Sequence, residues 1–257
     1  MMRILLVDDE PLALERLEVA VAQIADAQVV GMATDGAEAC AQIAALQPDL
    51  VLLDIQMPEL SGMEVAQSLP GLPQRPDIIF VTAFDRFAIE AFGVEATDYL
   101  LKPVSFERLR IAVERVRRRR AMAEAEHPAI RLPGTEVEPA PGRYDEGIWV
   151  PGRQGAVRVP VATIDRIEAA RDYVLLNTPT RSHLLRAKMN ELAERLDPRL
   201  MIRIHRSHIV RIDAVTGIER PGKGVLRLLM TDGASLQVGP NYQGQVADAL
   251  GLRVGAG

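Results

Sequence analysis

Four short apolar runs near the start of the chain each stop on polar residues. Ile4-Leu5-Leu6-Val7 ends at Asp8-Asp9, Leu50-Val51-Leu52-Leu53 at Asp54, Ile78-Ile79-Phe80-Val81 at Thr82, and Tyr99-Leu100-Leu101 at Lys102-Pro103. Continuous apolar runs of this length, bounded by polar residues, have the pattern of strands buried on both faces in a parallel sheet. Helical spacing marks the stretches at about 11–25, 35–46, 61–69, 87–93 and 105–118, so strand and helix alternate five times. Sequential parallel strands need right-handed crossovers, which cover both faces of the sheet with helices. The carboxyl ends of such strands share one edge, and ligands bind there.

Three carboxylates, a hydroxyl and an ammonium are therefore expected in one pocket. Carboxylates this close repel one another unless positive charge lies between them. Mg²⁺ suits the need, because it takes few protein ligands and keeps several waters. Asp8, Asp9 and Asp54, with the backbone carbonyl of Gln56, are the expected metal ligands. An aspartate in such a setting can attack phosphorus and become an aspartyl phosphate, provided cations offset the charge on the transferring group. Asp54, alone at its strand end, is the expected phosphoacceptor. Lys102 is expected to pair with one phosphate oxygen and Thr82 to hydrogen-bond another.

The words LLVDDEP at 5–11, LLDIQMPELSG at 52–62, VTAFD at 81–85 and DYLLKP at 98–103 carry a resemblance. Residues 1–120 resemble the receiver domain of bacterial two-component response regulators. The resemblance implies a flavodoxin-like (βα)5 α/β fold with strand order 2-1-3-4-5. It also implies phosphotransfer from a sensor histidine kinase to Asp54, Mg²⁺ as cofactor, and a cis peptide before Pro103, as X-Pro bonds allow. Thr82 and Tyr99 would be a coupled switch pair, although an aromatic in a strand is often plain core. Phe84 would hinder the water that hydrolyses the phosphate.

Charge is distributed unevenly. Residues 1–120 hold 12 Lys/Arg against 19 Asp/Glu, residues 121–147 hold 2 against 6, and residues 148–257 hold 16 against 10. An acidic half joined to a basic half suggests that the basic half meets a polyanion. Between them, residues 121–147 contain four prolines, two Arg and few large apolar side chains, and read as an acidic, extended tether. The Arg117–Arg120 run ahead of it reads first as a solvated helix end, with direct DNA contact as the sharper alternative. No apolar stretch approaches the roughly 20 residues of a membrane span. The N-terminal apolar run is too short and too soon acidic for a signal peptide. With a single cysteine, Cys40, that points to the cytoplasm and to no membrane partner.

Residues 148–252 have another texture, with short β-rich runs separated by turn signals such as Pro221-Gly222-Lys223-Gly224 and Asp232-Gly233. Asp-Gly between two strand-like runs marks a hairpin. A mainly antiparallel β domain is expected, with helices at 188–196 and 242–250. The stretches IDRIEAARDYVLLNT at 164–178 and MIRIHRSHIV at 201–210, with the Asp-Gly hairpin before Val238, resemble LytTR DNA-binding domains. That resemblance implies loops offered to successive major grooves of double-stranded promoter DNA, with Arg206 and Arg171 at contacting positions. His205, Ser207 and Lys223 complete the expected DNA-binding set. Gly239-Pro240-Asn241 stands where many members have Ser-Arg, leaving Asn241 as the substitute third contact, and Arg211 replaces a usual Asn. His205 and His208 lack the further ligands of a zinc site.

The two resemblances together describe a phosphorylation-controlled, homodimerising regulator of transcription, not an enzyme. A haloacid-type phosphatase would want a second acid where Gln56 stands. The other alternative is a signalling adaptor whose β domain binds protein or RNA.

Overall fold

The structure is a computed structural model describing residues 1–69, 75–83, 96–125, 144–152, 155–170, 173–222 and 224–252. It divides into two compact units, one built mainly of Met1–Val116, the other mainly of Arg158–Thr180 and the residues from Leu185 on. The helix expected at 87–93 and Phe84 lie outside the described residues.

In the first unit the apolar runs form a five-stranded sheet of β1 (Met2–Val7), β2 (Ala27–Ala33), β3 (Leu50–Leu53), β4 (Asp77–Thr82) and β5 (Asp98–Leu101). Its order is β2-β1-β3-β4-β5 and its pairings are parallel, as the resemblance implied. The helices are α1 (Pro11–Ala22), α2 (Gly36–Leu46), α3 (Gly62–Ser68) and α4 (Phe106–Ala125). Each sheet face has its own core. Leu5, Val51, Leu53 and Phe80 meet Ile43 and Met63, while Ile4, Leu6, Leu52 and Ile79 meet Leu17, Leu109 and Val113. Successive strand residues point to opposite faces, which is why an unbroken apolar run is needed.

α4 runs to Ala125, five residues into the stretch expected to be tether. Ala121, Met122, Ala123, Glu124 and Ala125 are all strong helix formers, and Pro128 is the next residue able to stop them. The four arginines lie inside this helix rather than at its end. Most of the expected tether, residues 126–143, lies outside the described residues.

The second unit is antiparallel. Its five-stranded sheet has the order β10-β9-β8-β12-β11, from β8 (Arg166–Ala170), β9 (Tyr173–Asn177), β10 (Ser182–Leu185), β11 (Met201–His205) and β12 (His208–Arg211). A three-stranded sheet of β13 (Val215–Gly222), β14 (Val225–Met230) and β15 (Ser235–Gln237) follows, and β6 (Gly147–Gly152) pairs with β7 (Gly155–Pro160). Helix α5 (Met189–Arg195) sets Met189 and Leu192 against Ile167, Val174 and Ile209, and α6 is Gln243–Ala249. The Asp-Gly hairpin forms between β14 and β15. Gly233 takes φ +84°, and the Asp232 side chain accepts from Ala234 N at 3.0 Å.

Candidate functional site

Register gathers the acidic pocket. Val7 pairs with Leu53, so the next residues, Asp8 and Asp54, leave the sheet side by side, and Asp54 N donates to Val7 O at 2.9 Å. Thr82 pairs with Leu101, and Lys102 N donates to Thr82 O at 2.9 Å. A cis peptide joins Lys102 to Pro103. The Lys102 ammonium lies 2.6 Å from Asp8 Oδ2 and 2.7 Å from Asp54 Oδ2. Asp8, Asp54 and Thr82 are buried, whereas Asp9 is exposed.

Burial raises the Asp8 pKa, and the Lys102 ammonium only partly opposes it. For Lys102 burial works against the charge, but Asp54 and Asp8 outweigh it, so the ammonium is held above its ordinary value. Among the described residues, the Lys102 ammonium thus sits between carboxylates, in the arrangement expected from the need to offset their repulsion.

The loop after β3 depends on close backbone approach. Ser61 caps α3 with a reciprocal bond pair to Glu64, as capping boxes do. Gly62 follows, and a Cβ there would fall 1.9 Å from Asp54 O, so only glycine fits. Gln56 N donates to Asp54 Oδ1 at 3.2 Å, which places Gln56 beside the pocket.

The residues fit a divalent cation. One ligand oxygen from each of Asp8, Asp9 and Asp54 lies within 4.8 Å of the others. Among the described residues, Asp8 Oδ2 is buried with no hydrogen bond of good geometry, and it meets the Lys102 ammonium as an ion pair. A buried, incompletely satisfied carboxylate oxygen is what a hard cation would complete.

Next to the pocket, Tyr99 stacks on Phe80, with ring centroids 5.6 Å apart and planes 25° from parallel. Burial raises its hydroxyl pKa, and Asp98 adds to the effect. The ion cluster beneath has no local sequence pattern. Asp98, fully buried, is held by Arg108 and Arg115. Burial alone would raise its carboxyl; the two guanidiniums win and lower it to about 2.

In the second unit, β11 and β12 are joined by a two-residue turn, Arg206-Ser207, with Arg206 exposed. A cleft of about 630 Å³ beside it is lined by Tyr173, Arg186, Lys188, Asn190, Arg203 and Arg206, among others. Basic residues separated in sequence thus converge around the turn. His205 and Ser207 are bonded to each other, Nδ1 to Oγ at 2.7 Å. Asn241 lies in a short 3-10 turn, Pro240–Tyr242, whose leading Gly239 N donates to Ile204 O at 2.8 Å. Arg211 is engaged elsewhere, donating to Asp165 Oδ1 and, at 3.2 Å, to Ile164 O. Arg171 and Lys223 lie outside the described residues.

Comparison with known proteins supplies the family. Residues 4–114 match the response regulator receiver domain and residues 154–251 the LytTr DNA-binding domain. The sensory transduction protein LytT of Enterococcus faecalis is 30% identical over 251 residues, covering 98% of this chain and all of that protein. The transcriptional regulatory protein BtsR of Escherichia coli is 30% identical over 259 residues, with the same coverage. Among solved structures, the response regulatory domain of mrkE from Klebsiella pneumoniae is 30% identical over 49% of this chain and 100% of that one, with TM-score 0.43. With a parallel sheet ending in an acidic pocket, an antiparallel domain with a basic turn, and relatives matched end to end, the chain belongs to the response regulators that join a receiver domain to a LytTR DNA-binding domain.

Proposed function

We propose that Asp54 accepts a phosphoryl group from a sensor histidine kinase, and that this event controls pairing of two copies of the chain on promoter DNA. The observation that carries the reading is the Lys102 ammonium held between Asp54 and Asp8. An Asp54 carboxylate oxygen attacks phosphorus. The phosphorus–nitrogen bond to the kinase imidazole breaks, its electron pair returns to that nitrogen, and a proton follows. Asp8, Asp9, Asp54 and the Gln56 carbonyl would hold Mg²⁺, which when bound would offset charge on the transferring group. Lys102 moves from pairing with carboxylates to pairing with a phosphate oxygen, and Thr82 donates its hydroxyl to another.

The acyl phosphate adds about two negative charges at the end of β3. Thr82 and Tyr99, on adjacent strands, carry that change to the outer face of β5 and α4. A self-complementary face there gives a two-fold dimer. Two joined DNA-binding domains then occupy two half-sites, and effective concentration raises occupancy without new contacts. Arg206 faces the bases, with Asn241, Arg171 and Lys223 in the flanking segments and His205 and Ser207 in the same turn. The compartment is the cytoplasm, and among the described residues no helix is long and apolar enough to cross a membrane. The domains run over 1–120 and 148–252, with the tether between.

The test uses the full chain with Mg²⁺ and a phosphoramidate donor. Intact mass should rise by one phosphoryl group, with no gain in Asp54→Asn or with a chelator present. Label retained by Asp54→Asn would refute the assignment.

A further inference from the structure

The turn carrying Arg206 is held from two sides by contacts within its own unit. From one side, Arg203 Nη2 donates to Arg206 O at 2.9 Å and Nε to His205 O at 3.2 Å. Its Nη1 donates to Asn190 Oδ1 of α5 at 2.6 Å, and its guanidinium lies 5.8 Å from the Tyr242 ring centroid. From the other side, Ala169 N on β8 donates to Ser207 O at 2.9 Å. Ser207 Oγ lies 2.7 Å from His205 Nδ1 and 2.9 Å from His208 Nδ1. His208 Nε2 faces Glu168 Oε1 at 3.6 Å.

Ser207 N–H donates to His205 Nδ1 at 3.3 Å, so that ring nitrogen acts as an acceptor and closes the turn on itself. Burial, then the charges of His208, Arg206 and Arg203, depress the His205 pKa, in keeping with its acceptor role.

We propose that Arg203, His205, Ser207 and His208 are positioning residues for Arg206, and that sequence discrimination depends on the turn they hold. The proposal rests on the DNA-binding reading above and deepens it, moving His205 and Ser207 from touching DNA to holding what does. Among the described residues, the charged and titratable groups facing the two imidazoles are Glu168 and its partner Arg166 on β8, Arg203 on β11 and Arg206 in the turn. From the C-terminal segment comes Tyr242. Gly239 belongs to the same fit, because a Cβ there would lie 3.2 Å from the His205 ring. The chain's departure from the Ser-Arg pattern at 239–240 leaves room for this ring.

The experiment takes the full chain and a duplex it selects from a random-sequence pool, with a scrambled duplex of equal length as reference. The affinity ratio between them should fall about tenfold in Arg203→Gln and in Ser207→Ala, about what ordering one more backbone residue is worth, with scrambled binding unchanged. A ratio unchanged in both variants, or scrambled binding lost in step with it, overturns the proposal. Nitrogen-15 imidazole spectra of the full chain without DNA judge the turn's hydrogen bonds separately: an unprotonated His205 Nδ1 supports them, and a protonated one refutes them. If no duplex is enriched, the DNA-binding reading fails, and those spectra still judge the turn.

Discussion

Arg115 closes on Asp98 with neither side chain exposed to solvent, directly behind the strand that delivers Lys102 to the pocket. Arg108 completes the cluster at 2.8 Å. The pair ties α4 to β5, the two elements that would form the dimer face.

Asp98→Asn should be strongly destabilising, because it leaves Arg115 charged, buried and without its carboxylate. Removing one partner of such a pair costs about 3–5 kcal/mol. Urea unfolding followed by circular dichroism would show the loss in the midpoint. A shift near zero would mean that water reaches Arg115.

The same carboxylate has a pH signature. Its folded pKa is lowered to about 2, against roughly 3.9 unfolded. A depressed acid contributes stability above the unfolded value and loses it as pH falls from about 4 through 2. The amount is on the order of 2 kcal/mol. Carboxyl NMR should show Asp98 titrating near the bottom of that window, and a midpoint at or above its unfolded value would contradict the pairing.

Gly62→Ala should disturb the phosphoacceptor without touching a charged group. The added Cβ would lie 1.9 Å from Asp54 O, so the loop or α3 must shift. Phosphorylation by a small-molecule donor should slow about tenfold or more, as misplaced reacting groups do, in a chain that still folds. An unchanged rate would show that the backbone can yield there.

Mg²⁺ should stabilise the receiver domain by mass action, about 3 kcal/mol at a hundred times its dissociation constant. Asp8→Asn should abolish the gain. Calorimetry with Mg²⁺ and with a chelator gives the difference, and equal melting temperatures would count against a cation at this cluster.

Arg206→Ala and Arg211→Ala should behave oppositely. Arg206, exposed on the turn, should cost about 1–3 kcal/mol of specific DNA affinity and little stability. Arg211, bonded to Asp165, should lower stability and leave affinity nearly unchanged. Gel-shift titration beside thermal melting separates the two. Comparable affinity losses would place Arg211 at the DNA as well.

What sequence reasoning reached, and what escaped it, divides along physical lines. Asp8, Asp54, Thr82 and Lys102 were legible because each ends an apolar run, and parallel register turns strand ends into neighbours. The Asp232-Gly233 hairpin was legible because its turn needs a positive φ that glycine takes freely. The Asp98–Arg115 pair and the Arg203 brace were not. Their partners lie on different elements, and a buried arginine has no local pattern to set it apart from a surface one. Arg203 offered one faint signal, a charge alternating with Ile202 and Ile204 in a strand. The end of α4 escapes sequence reading because composition after the arginines is polar, whereas the helical propensity of the Ala-rich stretch carries the helix to Ala125.

That continuous helix has a mechanical consequence. From Val116 to Ala125 it advances about 1.5 Å per residue, roughly 13 Å of stiff rod whose base is clamped by Leu109, Val113 and Val116. A few degrees of tilt at the clamp reappear as ångström-scale travel at Ala125, so small repacking under Leu109 and Val113 is magnified along the arginine-bearing segment.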